Sequence, residues 1–94
     1  MRLKDKVAVI IGAGQSPGEG VGNGRATAIR FAQEGAKVFA VDNRLGSAEE
    51  TAAAVEKEGG VCVAFEADVT HEAAMAATMR AARDRFGRID VMHY

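Results

Sequence analysis

At 94 residues the chain makes one domain at most, close to the smallest size that can bury its own core. Apolar residues at 48% and charged ones at 27% fit a soluble globular chain and exclude a disordered one. A formal net charge of −1 provides no electrostatic footprint for nucleic acid or an anionic membrane, and no apolar run approaches spanning length.

The opening Met1-Arg-Leu-Lys-Asp-Lys6 puts basic residues ahead of an apolar run, as a secretory leader does. Asp5 and the brevity of Val7 to Ile11 favour a strand instead. That run is continuous and ends at Gly12, the pattern of a strand buried on both faces. Ala26, Ile29, Phe31 and Ala32 recur at helical spacing and predict a helix over Arg25 to Gly35, with Gly35 as its stop. Lys37 to Asp42 is a second strand. Ser47 and Glu50 stand at capping-box spacing and predict a second helix from Ser47 to Gly59. Val61 to Phe65 is a third strand. Thr70 is placed to cap a third helix, whose stripe is Met75, Met79, Ala82 and Phe86, with Gly87 as its end. Ile89 to Met92 reads as a fourth strand.

Strand and helix alternate throughout, which predicts an α/β fold: a Rossmann-type, doubly wound parallel sheet built by right-handed crossovers, in strand order 3-2-1-4. The first two helices then share one face of the sheet and the third covers the other. Ile89 to Met92 is expected as an exposed edge, able to pair with another chain, so a homo-oligomer is expected.

Of the 11 glycines, Gly12, Gly14, Gly18, Gly20, Gly22 and Gly24 crowd into the loop between the first strand and the first helix. A flexible loop and a phosphate cradle both use glycine, and the flanking strand and helix favour the cradle. Gly12 and Gly14 allow a tight turn, while Gly22 and Gly24 admit a ligand close to the backbone. The helix start beyond them offers N–H groups and a positive dipole end to a pyrophosphate. Asp42 ends the second strand, where a carboxylate hydrogen-bonds the hydroxyls of an adenosine ribose. It follows the glycine loop by about 20 residues, the interval this fingerprint requires. Its charge opposes a 2′-phosphate and favours NAD over NADP, whereas Arg25 and Arg44 keep NADP open because a guanidinium binds that phosphate.

With these residues placed, the sequence resembles the N-terminal half of the short-chain dehydrogenases/reductases. Leu3 to Gly14 is similar to that family's first strand and first glycines, and Gly22-Asn-Gly-Arg-Ala-Thr-Ala28 to its entry into the first helix. Phe31 to Asp42 resembles the following helix and strand, Ala67-Asp-Val69 the Asp-Val pair, and Phe86 to Val91 the entry to the fourth strand. The likeness covers the whole chain. It implies that residues 1–94 form a dinucleotide-binding half-domain and that Asp68 and Val69 lie against an adenine ring. The cofactor contacts expected from residues and resemblance together are Gly12, Gly14, Gln15, Gly22, Asn23 and Gly24 in the loop, Asp42, Asn43 and Arg44 after the second strand, and Asp68 and Val69 after the third. The implied function is hydride transfer between a nicotinamide dinucleotide and a small carbonyl or secondary-alcohol substrate.

Two departures stand out. Ile11 replaces the threonine that the family usually has before its first glycine, and Ser16 to Val21 read as an insertion. In the other register, Gly20-Val-Gly22 is the family's Gly-Ile-Gly and Asn23-Gly24 is inserted. The family's catalytic Ser, Tyr and Lys lie further along than this sequence reaches, and Tyr94 has no lysine four residues on. No catalytic residue is therefore assigned, and the chain by itself is expected to be inactive. A non-catalytic nucleotide-binding module is the alternative. A receiver-like regulatory domain ranks last, because Ile11-Gly12 lacks the acidic pair that such a domain carries there.

Cys62, the one cysteine, reads as a small core residue. It cannot form an internal disulfide, which fits a reducing compartment and an expected cytoplasmic location. His71 and His93 lie too far apart, without other ligands at suitable spacing, to suggest a metal. Arg80, Arg83, Asp84 and Arg85 read as a solvated helix face.

Overall fold

The computed structural model describes residues 3–13 and 23–93. Its elements follow in the order β1 (Val7–Ile11), α1 (Asn23–Gln33), β2 (Lys37–Asp42), α2 (Leu45–Lys57), β3 (Val61–Glu66), α3 (Glu72–Phe86) and β4 (Val91–His93). The strands form one parallel sheet in the order β3-β2-β1-β4, as the crossover rule requires. Register runs from Val7 opposite Lys37 to Ile11 opposite Val41. Lys37 stands opposite Val61 on the other side of β2, and Ala8 opposite Val91 on the other side of β1.

Side chains of a strand alternate between faces, so each buried strand feeds two cores. Ala8, Ile10, Val38, Ala40 and Cys62 pack with Ala28, Ala52 and Val55 of α1 and α2. Val9, Ile11, Phe39 and Val41 pack with Ala82, Met75 and Phe86 of α3 on the opposite face. Phe39 anchors that second core, its ring 5.2 Å from that of Phe65 and 6.4 Å, edge-on, from that of Phe86. Burying it contributes about 1.5–3 kcal/mol. Met79, expected in the stripe of α3, is only half-buried and lies outside this cluster.

The helix starts differ from the sequence-based expectation. α1 begins at Asn23 rather than Arg25. α2 begins at Leu45, and Ser47 is a buried residue inside it rather than its cap. The reason is local. The Arg44 amide donates to the Asp42 carboxylate at 3.0 Å, so the chain turns as soon as β2 ends. Arg44 takes the extended cap conformation, φ −123° and ψ 104°, and its carbonyl accepts the first helical N–H groups, those of Ser47 and Ala48. Thr70 does not cap α3 either: His71 holds that position, and the Thr70 hydroxyl donates to Asp68 at 2.6 Å. The helices end just before Gly35, Gly59 and Gly87, as expected.

β4 covers Val91–His93 rather than Ile89 to Met92. Asp90 is held at the start of β1, its Oδ2 accepting the Val7 amide at 2.9 Å and its own N–H donating to the Val7 carbonyl at 2.9 Å. Ile89 packs into the core beneath α3, so the ladder begins only after it. β4 is the outermost strand of the sheet on that side, and Met92 is 44% exposed.

Candidate functional site

At the carboxyl edge of the sheet, backbone hydrogen bonds bring three sequence-distant segments into a row. The amides of Gly12 and Ala13 both donate to the Val41 carbonyl, at 2.8 and 2.9 Å, and the Ala67 amide donates to the Asp42 carbonyl at 3.0 Å. The turn after β1, the end of β2 and the end of β3 are thus neighbours, the arrangement at which open α/β sheets bind ligands.

Gly12 turns the chain with φ +73°, a conformation that costs a side-chain-bearing residue about 1–2 kcal/mol. Gly24 is required for a different reason. A Cβ there would overlap the Gly12 carbonyl oxygen, and would lie 2.6 Å from the Gly12 carbonyl carbon and 2.9 Å from the Ala13 Cα. The sequence reading took the bare backbone of Gly24 as room for a ligand. In the structure the space a Cβ would need at Gly24 is taken by the chain's own turn, which seats the start of α1 directly against the end of β1. The first N–H groups of α1, from Asn23 onward, have no partner within the helix and so begin at that edge, where an anion is stabilised by them and by the helix dipole. Gly14, Gln15 and Gly22 lie outside the described residues, as does the register of the insertion.

Asp42 is half-buried at the tip of β2, one residue past the carbonyl that holds Gly12 and Ala13. Asn43 and Arg44 follow it and are exposed. Arg25, weighed in the sequence as a phosphate ligand, is drawn inward instead. Its Nε–H donates to Thr51 Oγ1 at 2.9 Å, and its Nη2 to the Ser47 carbonyl at 3.3 Å and to Glu50 Oε1 at 3.1 Å. The Arg25 side chain is 18% exposed. Glu50, expected in a capping box, serves this ion pair.

Asp68 is exposed and closes its own turn. One carboxylate oxygen accepts the Thr70 amide at 3.1 Å and the Thr70 hydroxyl, and these two bonds hold its carboxyl below the usual carboxylate range. The side chain of Val69 packs on the core beneath α3. Cys62 is buried among apolar neighbours, and burial, reinforced by the charge of Glu56, pushes its thiol up to about 12. It is an inert core residue, as its place in an apolar strand implies.

Thr51 is absent from the sequence-derived site. It has no exposed surface, accepts from Arg25, and donates toward the Ala13 carbonyl at 2.8 Å. The sequence held a signal for it. Ala48, Thr51, Ala52 and Val55 fall on one stripe of α2, and a hydroxyl on a buried stripe must find partners.

Among the described residues no cluster of His, Cys, Asp and Glu forms a metal-ligand set, and no helix is long and apolar enough to cross a membrane.

Comparison with known proteins fits this geometry. A sequence model of the family described as short chain dehydrogenase matches residues 6–94. The chain is 41% identical over 92 residues to galactitol 2-dehydrogenase of Agrobacterium fabrum, covering 98% of this chain and 32% of that protein. It is 41% identical over 91 residues to levodione reductase of Leifsonia aquatica, covering 95% and 32%. Among solved structures it superposes, with a TM-score of 0.89 and 32% identity, on a 7 alpha-hydroxysteroid dehydrogenase complexed with NADH and 7-oxo glycochenodeoxycholic acid, covering 97% of this chain and 33% of that one. The chain spans about a third of the length of the curated relatives it matches.

Proposed function

The chain belongs to the short chain dehydrogenase family, and we propose that it is the nicotinamide-dinucleotide-binding part of an oxidoreductase acting on a carbonyl or secondary-alcohol substrate. The observation that carries this reading is the row along the sheet edge: the start of α1 seated on Gly12 by Gly24, with Asp42 beside it at the tip of β2.

A dinucleotide fits that row. Its pyrophosphate suits the N–H groups at the start of α1, which carry the positive end of the helix dipole. Its ribose hydroxyls suit the Asp42 carboxylate, a pure acceptor when ionised. When bound, the nicotinamide supplies or accepts the hydride. The chain's own residues bind and orient, and the proton-transferring groups are not assigned to it.

NAD is the proposed cofactor in preference to NADP. Asp42 repels a 2′-phosphate, and the Arg25 guanidinium that such a phosphate would need is engaged by Thr51, Ser47 and Glu50. Arg44 is exposed beside Asp42 and sets the limit of that preference.

Calorimetric titration of the full-length protein with NADH and NADPH tests the proposal. Tighter binding of NADH is expected. Tighter binding of NADPH reverses the cofactor assignment, and binding of neither removes the reading.

A further inference from the structure

A buried hydroxyl lies where α1, α2 and the turn after β1 meet. Thr51 Oγ1 stands 2.8 Å from the Ala13 carbonyl and 3.3 Å from the Ser47 carbonyl, and receives Arg25 Nε–H at 2.9 Å. A guanidinium only donates, so the single hydroxyl proton must point at a carbonyl, and the shorter contact selects Ala13. The result is a directed chain from Arg25 through Thr51 to Ala13, with a charge-assisted first link. Ala13 is fixed from its other side by its N–H on Val41. Arg25 also grips the Ser47 carbonyl and Glu50 on α2. The helix that starts straight after Asp42-Asn43-Arg44 is therefore braced against both the turn after β1 and the first turn of α1.

Resting on the dinucleotide reading above, we infer that Thr51 is a positioning residue that sets the spacing between the pyrophosphate-binding turn and the ribose-binding carboxylate of Asp42. A ligand that engages both ends depends on that spacing. A ligand that engages only the β2 end does not. A hydroxyl that merely filled the core would affect both ligands alike, through the stability of the fold.

The test uses ADP-ribose, which spans both ends, and adenosine, which reaches only the second, each titrated into the full-length protein. Thr51→Val keeps the shape of the side chain and removes the hydroxyl, breaking both links. It is expected to raise the Kd for ADP-ribose about tenfold while leaving that for adenosine within about twofold, the loss matching a buried bond left unmade. Thr51→Ser, which keeps the hydroxyl, is expected to restore ADP-ribose binding. Thermal melting checks that each variant is folded. Should Thr51→Val not fold, Arg25→Lys, which keeps the charge but cannot reach all three acceptors, is expected to give the same split. Equal loss for both ligands, no loss for ADP-ribose in a folded variant, or failure of Thr51→Ser to rescue would overturn the positioning role alone. Wild-type protein that binds neither ligand would overturn the dinucleotide reading, and the positioning role with it.

Discussion

Replacing Gly24 by alanine sets two physical effects of opposite sign against each other. Gly24 lies in α1, and glycine-to-alanine inside a helix ordinarily stabilises by about 0.5–1 kcal/mol. Here the new Cβ would overlap the Gly12 carbonyl oxygen and come within 2.9 Å of the Ala13 Cα. Both are backbone atoms held by bonds to Val41 and Thr51, so neither can rotate aside. Pushing α1 off the turn costs about 1–3 kcal/mol in strain, and losing one or two of the restraining bonds adds about 0.5–1.5 kcal/mol each. The steric effect wins, for a net destabilisation of about 0.5–5.5 kcal/mol, centred near 3. Urea unfolding of the full-length protein, followed by circular dichroism, reads this as a lower midpoint at unchanged slope. Gly46 is the control, since it lies in α2 with nothing within 4 Å of an added Cβ. Gly46→Ala is expected to be neutral or to stabilise by up to about 1 kcal/mol. Gly24→Ala as stable as wild type, or Gly46→Ala as damaging as Gly24→Ala, would refute the close-approach reasoning.

Asp42→Ala is expected to narrow the preference for NADH over NADPH, because a hydrogen bond to a charged group is worth roughly 1.5–3 kcal/mol; calorimetry with both nucleotides checks it, and an unchanged ratio would clear Asp42 of the role. Asp68 and Asp90 both have carboxyls held below their usual range, by Thr70 and by Arg88 with Val7 respectively. Depressed folded values place their stabilisation above the unfolded value and remove it as pH falls through the folded one. Melting temperature should therefore hold between about pH 7 and 5 and fall below about pH 4, with a shallower fall in Asp90→Asn. With its thiol pushed up to about 12, Cys62 should resist a disulfide reagent in the native protein and react once unfolded; rapid native labelling would contradict its burial. The exposed β4 edge should pair with a second copy of the chain, which light scattering on the 94-residue chain measures; a monomer at every concentration would contradict it.

The strands were legible because each is a short apolar run, and burial on both faces leaves little other way to build one. Their order followed from handedness, since right-handed crossovers put α1 and α2 on one face and α3 on the other. The helix starts were not legible. Ser47 and Thr70 are good capping types, but a cap is chosen by where the preceding strand releases the chain. The Asp42 carboxylate turns it at Arg44, and Asp68 takes up the Thr70 hydroxyl. The carboxyl-edge position of Asp42 was visible in its place at the end of an apolar run. The use of Gly24 was not, because residue type reports that a Cβ is excluded without saying what excludes it. Arg25 and Thr51 were hidden for a related reason: their partners are separated from them by a helix and a strand, and only the packing of α2 against α1 brings them together.

On the proposed reading, the edge formed by the start of α1 and the tip of β2 holds a nicotinamide dinucleotide. A crystal structure of the full-length protein with NADH bound tests it most directly. The pyrophosphate is expected at the amides that open α1, and an adenosine ribose hydroxyl within about 3 Å of the Asp42 carboxylate, an ordinary hydrogen bond. A pyrophosphate lodged away from α1, or an Asp42 carboxylate that makes no contact with the ribose, would contradict it.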